Sequence, residues 1–64
     1  MNITQAKELC DRGIRITHQY FSPHEFVRKK NGQLVDSCGN YLDEEDFWRQ
    51  RQTKIFQEGW AIVE

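Results

Sequence analysis

The sequence predicts an α+β fold: a short N-terminal helix packed on a small antiparallel sheet of about four strands, with a short second helix near residues 43–50. Three observations predict it. Asn31-Gly32 stands between two β-favouring runs, "EFVRKK" and "QLVD", the strongest short hairpin signal a sequence carries. Apolar spacing changes from helical before Gly13 to alternating after it. The chain then closes on "WAIVE", a run apolar on both faces of an extended segment.

In chain order, Asn2 or Thr4 is placed to cap a helix over 4–12, whose Ala6, Leu9 and Cys10 recur at helical spacing and whose end is marked by Gly13. From Ile14 the period is two. Ile14, Ile16, His18 and Tyr20 face one way, and Arg15, Thr17, Gln19 and Phe21 the other, so this is a strand that turns its isoleucines to the core. "SPHE" at 22–25 has the pieces of a capping box, a Ser followed three residues later by Glu with Pro between, and predicts one turn. Residues 25–36 form the hairpin. "SCGN" at 37–40 is turn chemistry, and Asp43 then caps a short helix whose acidic first turn suits the helix dipole and whose apolar residues are Phe47 and Trp48. Residues 49–54, "RQRQTK", extend that helix or loop away from it. "WAIVE" suits an internal strand buried on both sides. No repeat, low-complexity tract or linker is visible, and residues 1–64 read as a single domain.

A chain of 64 residues buries only about 60% of the surface its unfolded form exposes. Its core is thin, and disulfides, metals or oligomers supply what such cores lack. Cys10 and Cys38 form no C-x-x-C pair, and a reducing cytoplasm is the natural setting. The possible metal ligands Cys10, His18, His24 and Cys38 match no paired-ligand spacing of a structural zinc site, so no metal is expected. Oligomerisation remains. No apolar run is long enough to span a membrane.

A net charge of -1 argues against a dedicated nucleic-acid binder, whose affinity comes mostly from neutralised phosphates. Charge is nonetheless segregated: "DEED" at 43–46 is acidic, while Arg28, Lys29 and Lys30 form one basic cluster and Arg49, Arg51 and Lys54 another. G-x-S-x-G, H-E-x-x-H and phosphate-cradling glycine loops are missing. Cys10 belongs to an apolar helix stripe, which makes it a small hydrophobe rather than a nucleophile. The sequence predicts neither a catalytic residue nor a cofactor.

Two Trp, two Tyr and four Phe exceed what so small a core obviously needs. Trp60, Phe26 and Phe47 are expected inside it. The strand alternation turns Arg15, Thr17, Gln19 and Phe21 into a row about 7 Å apart, with His18 and Tyr20 at its rim and Trp48 and Arg49 added from the second helix. The ligand-binding residues predicted are therefore Arg15, His18, Tyr20, Phe21, Trp48 and Arg49. Rings stack on bases and guanidinium groups fork onto phosphates.

The run "ITQAKELCDRGIRITHQYFSPHEFVRKKNGQLVD", the acidic helix start before "FW" and the closing "GWAIVE" together resemble small tailed-phage proteins of the Thoeris anti-defence sponge type. Shared features are the amphipathic opening helix, the K-x-G-x-L hairpin (Lys30 to Leu34) and a terminal W-x-I-V (Trp60 to Val63). "THQYF" departs from the pattern, standing where many relatives have Arg or Lys followed by Trp. The resemblance implies a homo-oligomer, typically tetrameric, that is not an enzyme. It would act in the cytoplasm of the infected bacterial host and hold a cyclic nucleotide-type immune signal, such as a cyclic ADP-ribose isomer, in pockets between protomers. Two other readings compete: an interaction module that inhibits or redirects a host protein through "DEED" and a sheet edge, and a weak nucleic-acid binder using the two basic clusters.

Overall fold

The computed structural model describes residues 1–64. Asn2 caps the first helix, α1 (Ile3–Asp11): its side-chain oxygen accepts from Gln5 N at 2.8 Å, and the Gln5 side chain accepts in return from Asn2 N at 3.1 Å. This reciprocal box supplies acceptors that the first helical turn cannot provide for itself. Ile3, Ala6 and Cys10 are the residues α1 buries. Gly13, at φ 85°, carries the chain out of the helix in the left-handed conformation, and a Cβ there would lie 3.4 Å from Lys29 O.

Strand β1 (Ile16–His18) follows, shorter than the alternation suggests, with Ile16 and His18 buried. Strands β2 (Val27–Lys30) and β3 (Gln33–Asp36) form the expected hairpin, with Lys30 opposite Gln33 and with Asn31 at φ 53° and Gly32 at φ 80°. Two successive positive φ values are the type I′ turn whose twist matches that of the paired strands. The "SPHE" turn is also present: Glu25 Oε1 accepts from Ser22 N at 3.1 Å, and Glu25 N donates to Ser22 O.

The sheet has five strands, in the order β4-β3-β2-β1-β5, and every pairing is antiparallel. The strand beyond the expected four is β4 (Tyr41–Leu42), aligned with Leu34 and Val35. The Asp36 turn sets it in place. Asp36 Oδ1 accepts from Cys38 N and Asn40 N, both at 2.9 Å, and these N–H groups, Asn40 first, hold its carboxyl below the usual range.

The terminal strand β5 (Trp60–Ile62) corrects the expectation of an internal strand. It lies at the sheet edge, paired only with β1, and of its residues Trp60 alone is buried. Ala61 points to the uncovered face, and Ile62, on the same side as Trp60 and opposite Ile16, is still 50% exposed at the edge. The outward groups of Trp60 are met by the chain's first residue: the Met1 ammonium donates to Trp60 O at 3.0 Å, and Trp60 N donates to Met1 O at 3.3 Å.

Helix α2 (Glu44–Arg49) begins where Asp43 Oδ1 accepts from Asp46 N at 3.0 Å, and it buries Phe47 and Trp48. Its extension through "RQRQTK" does not occur. Arg51 Nη1 donates to Phe47 O at 3.2 Å and Gln52 Nε2 to Trp48 O at 3.0 Å, so side chains satisfy the last carbonyls and the helix stops. A single 3-10 turn, Lys54–Phe56, leads to β5. Lys29 joins the layers: its ammonium lies 3.0 Å from Glu44 of α2 and 3.3 Å from Asp11 of α1, which push its pKa up, Glu44 first. One cluster of nine buried residues unites both helices with β1, β2, β3 and β5. No helix is long and apolar enough to cross a membrane.

Candidate functional site

The six residues singled out from the sequence do not converge. His18 is 3% exposed. Its Nδ1 accepts from Tyr20 N at 3.1 Å, which leaves Nε2 to donate to Glu58 O at 2.7 Å. Both ring nitrogens are thus engaged by backbone. The ring is packed among Phe56, Trp60, Tyr20 and Phe21, with centroids 4.6, 4.8, 5.5 and 6.0 Å away.

Phe21 and Trp48 correct the expectation that their rings form a binding row. β1 ends at His18, where the Phe21 N–H donates to His18 O, and this turn breaks the alternation that assigned Phe21 to the far face. Its ring packs edge-on against Trp60 at 5.6 Å and against Phe47 at 6.4 Å. Trp48 is 5% exposed, closed in by Phe47 at 4.9 Å and Trp60 at 5.5 Å. The same turn leaves Tyr20 64% exposed. Arg49 pairs with Asp46 at 3.3 Å on the exposed side of α2.

Arg15 stands apart from the other five. It lies on the bare face of the sheet, and the strand registers show what else lies there. Ile16, Val27, Leu34 and Leu42 are cross-strand neighbours or share the parity of those pairs, and all belong to the covered face. The alternate positions therefore point the other way: Arg15 and Thr17 from the first strand, Phe26, Arg28 and Lys30 from the second, Val35 from β3, Tyr41 from β4 and Ala61 from β5. Arg28 is opposite Val35, and Val35 is opposite Tyr41. The pairing of Ile16 with Val27, carried one residue further, sets Arg15 opposite Arg28. The Arg15 guanidinium lies 5.5 Å from the centre of the Phe26 ring. Val35 is buried between its neighbours in this row, yet it belongs to no part of the main core cluster. Tyr41 is 71% exposed.

Charge on this face is uncompensated. The ion pairs of the chain join Arg12 with Glu8, Lys29 with Asp11 and Glu44, and Arg49 with Asp46. Arg15, Arg28 and Lys30 take part in none. Of the acids that flank the sheet, Asp36 is committed to its turn, Asp43 to the α2 cap and Glu25 to Ser22 N, and Glu64, which follows the Val63 that donates to Arg15 O, forms no ion pair with Arg15 or Arg28.

Several concave regions lie around the sheet, and one of about 530 Å³ reaches Tyr41, with Asp43, Glu44 and Glu45 on its walls. A shallow groove of about 470 Å³ between the helices is lined by Lys7, Glu44, Glu45, Trp48, Arg49 and Gln52, and Lys7 Nζ already stands 5.7 Å over the Trp48 ring. Another, of about 250 Å³, has four carboxylates and Arg51 on its walls. The Arg51 guanidinium rests 3.9 Å from the Phe47 centroid, and burial pushes its pKa down, an effect opposed by Glu25. No three His, Cys, Asp or Glu side chains gather in a metal-holding group.

Reading the sequence alone missed Arg28, Phe26 and Tyr41 as members of one surface. The signal was present in "FVRKK", whose alternation separates Phe26, Arg28 and Lys30 from Val27 and Lys29. Its use required the β1–β2 register, which no local pattern specifies. No family model, curated protein or solved structure matches the chain.

Proposed function

We propose that this protein is a non-catalytic binding module that sequesters a cyclic nucleotide-type signalling molecule, acting as a phage counter-defence protein in the cytoplasm of the infected host. The observation that carries this reading is the bare sheet face, where the Phe26 and Tyr41 rings flank Arg15 and Arg28 with no acidic partner. A nucleotide offers the complementary pair of features, a π-face for stacking and a phosphate for the guanidinium fork. The face is open rather than concave. A second copy of the chain laid over it would complete an enclosure, which suits a protein too small to surround a ligand alone. The likeness to anti-defence sponges supports the same reading, and sequestration requires only tight binding by protein in excess of its ligand.

The test combines two measurements. Light scattering at micromolar concentration should give a multiple of 7.7 kDa. A thermal-shift screen against cyclic nucleotides and cyclic ADP-ribose isomers should raise Tm with at least one of them, because a ligand held only by the fold stabilises it. A monomer that no member of the screen stabilises overturns the reading.

A competing reading rests on the β5 edge, where Ile62 is 50% exposed and no strand pairs beyond it: there a host protein adds a strand, while the acidic start of α2 follows β4 at the opposite edge. In that case Ile62→Pro, which removes an outward N–H, disrupts function, and substitutions at Arg15 and Phe26 do not.

A further inference from the structure

We infer that Arg15 and Arg28 form a two-pronged site for one phosphate group, the group by which the uncovered face holds its ligand. The inference deepens the sequestration reading and rests on it for the identity of the whole ligand, although the site itself stands on local geometry.

Two like charges facing each other across a strand pair carry a cost. Side chains directly opposite across an antiparallel pair have Cβ atoms about 4.5–5.5 Å apart, and like charges there oppose folding. The register that joins Ile16 to Val27, continued one residue before the start of β1, brings Arg15 across from Arg28. Elsewhere the chain relieves such charges: Lys29, one residue along β2 on the opposite face, has two carboxylates within 3.3 Å. On the bare face there is none. Phe26 lies beneath the Arg15 guanidinium at 5.5 Å, a contact that draws this exposed cation along the sheet toward β2.

Two guanidinium forks side by side present more donors than one carboxylate can accept. A phosphate has at least two unesterified oxygens, arranged tetrahedrally, and can take a hydrogen bond from each fork. The phosphodiester of a cyclic nucleotide carries one negative charge and offers one unesterified oxygen to each fork, while a terminal phosphate, with nearly two charges, neutralises both arginines. Tyr41 lies at the far end of the same row, beyond Val35, and Phe26 on the near side, so a base attached to that phosphate has a ring within reach. Lys30 lies two residues along β2, at the hairpin end, outside the two-pronged arrangement.

The test uses the whole chain at low ionic strength, titrated with inorganic phosphate, adenosine monophosphate, adenosine and acetate and followed by backbone amide and arginine Nε–H chemical shifts. Phosphate should shift the Arg15 and Arg28 signals, and the monophosphate should bind more tightly through added stacking. Adenosine and acetate should bind more weakly than either. Arg15→Gln and Arg28→Gln should each lower affinity for phosphate about ten-fold or more, while Lys30→Gln changes it by less than about three-fold. Unchanged Val27, Leu34 and Trp60 amide shifts establish that the variants are folded. Affinity unaltered by both arginine substitutions, or acetate binding as tightly as phosphate, overturns the site. If a cyclic nucleotide raises Tm equally in wild type and both variants, the site falls and sequestration survives. If phosphate binds through both arginines while no cyclic nucleotide binds, sequestration falls and the site survives.

Discussion

On the covered face of the sheet, Arg51 rests 3.9 Å from the Phe47 ring centre and donates to Phe47 O at 3.2 Å. On the bare face, the Arg15 guanidinium lies 5.5 Å from Phe26 and makes neither a hydrogen bond nor an ion pair with the protein. The two pairs share their chemistry and differ in burial: Arg51 has a carbonyl partner and rings around it, although its buried Nε has no hydrogen-bond partner, whereas Arg15 is exposed. Arg51 is one layer of a stack that includes Phe21 and Phe56, so its cation serves the fold. Arg15 has a ring on one side and a second arginine on the other. Residue type does not separate packing from recognition in a small domain; what separates these two arginines is how far each is enclosed by the fold, Arg51 by three rings and Arg15 by one.

The sharpest difference between interior and surface concerns the two cysteines. Cys10 is buried against the sheet, and burial, reinforced by Asp11 and Glu44, raises its pKa to about 12. At pH 8 only about one Cys10 thiol in ten thousand is then a thiolate, the reactive form. Cys38 is exposed in the Asp36 turn. Iodoacetamide at pH 8 should therefore add one carbamidomethyl group to the native chain, at Cys38, and a second only in denaturant, as read by mass spectrometry. Equal rates at both thiols would show that α1 does not cover the sheet as described.

Aromatic truncations should divide the faces next. Trp60, 3% exposed and in contact with four other rings, those of His18, Phe21, Trp48 and Phe56, should cost about 3–5 kcal/mol when changed to Ala. Tyr41→Ala should change unfolding free energy by less than about 0.5 kcal/mol. Urea titrations of both variants make the comparison, and a large loss at Tyr41 would mean that the bare face is already covered in the isolated chain. Backbone strain comes below the core. Gly32→Val, at φ 80° with nothing within 4 Å of the added Cβ, should cost about 1–2 kcal/mol from the left-handed conformation alone. Gly59→Ala should cost more than Gly32→Ala, since its Cβ also meets His18 Nε2 at 3.0 Å. An unchanged Tm for Gly32→Val would refute the hairpin register.

These contrasts explain what was legible in the sequence. Caps and turns were, because their chemistry is local: Asn2 with Gln5, Asn31 with Gly32, and Asp43 with Asp46 each act within three residues. The α+β class follows from them. The edge position of β5 was not legible, since "WAIVE" has the same composition in an internal strand, and the bare face that exposes Ala61 depends on where the helices pack. Phe21 was misplaced for a related reason. The alternation from Ile14 continues in the sequence beyond the point where the His18–Phe21 turn ends the strand. Arg15 was recognised, but its counterpart Arg28 lies thirteen residues away and meets it only through the register of β1 with β2.

The smallest expected effect is also the one most particular to the bare face. If Arg15 and Arg28 repel each other, neutralising one of them should stabilise the fold, unlike most substitutions of a residue that contacts a ring. Like charges opposite each other across strands cost a few tenths of a kcal/mol, within the range of about 0.2–1 kcal/mol for such pairs, and the loss of the Arg15–Phe26 contact offsets part of that gain at an exposed position. Arg15→Gln retains the stem and hydrogen-bonding capacity and removes the charge. Its unfolding free energy in 10 mM salt should exceed that of wild type by a few tenths of a kcal/mol. In 1 M salt the Debye length falls to about 3 Å and the advantage should shrink toward zero. Phosphate should reverse the order, stabilising wild type and not the variant, because the anion supplies the partner that the folded chain lacks. A variant less stable than wild type at every salt concentration would show that the ring contact outweighs the repulsion, and the cost from which the phosphate site is argued would be absent.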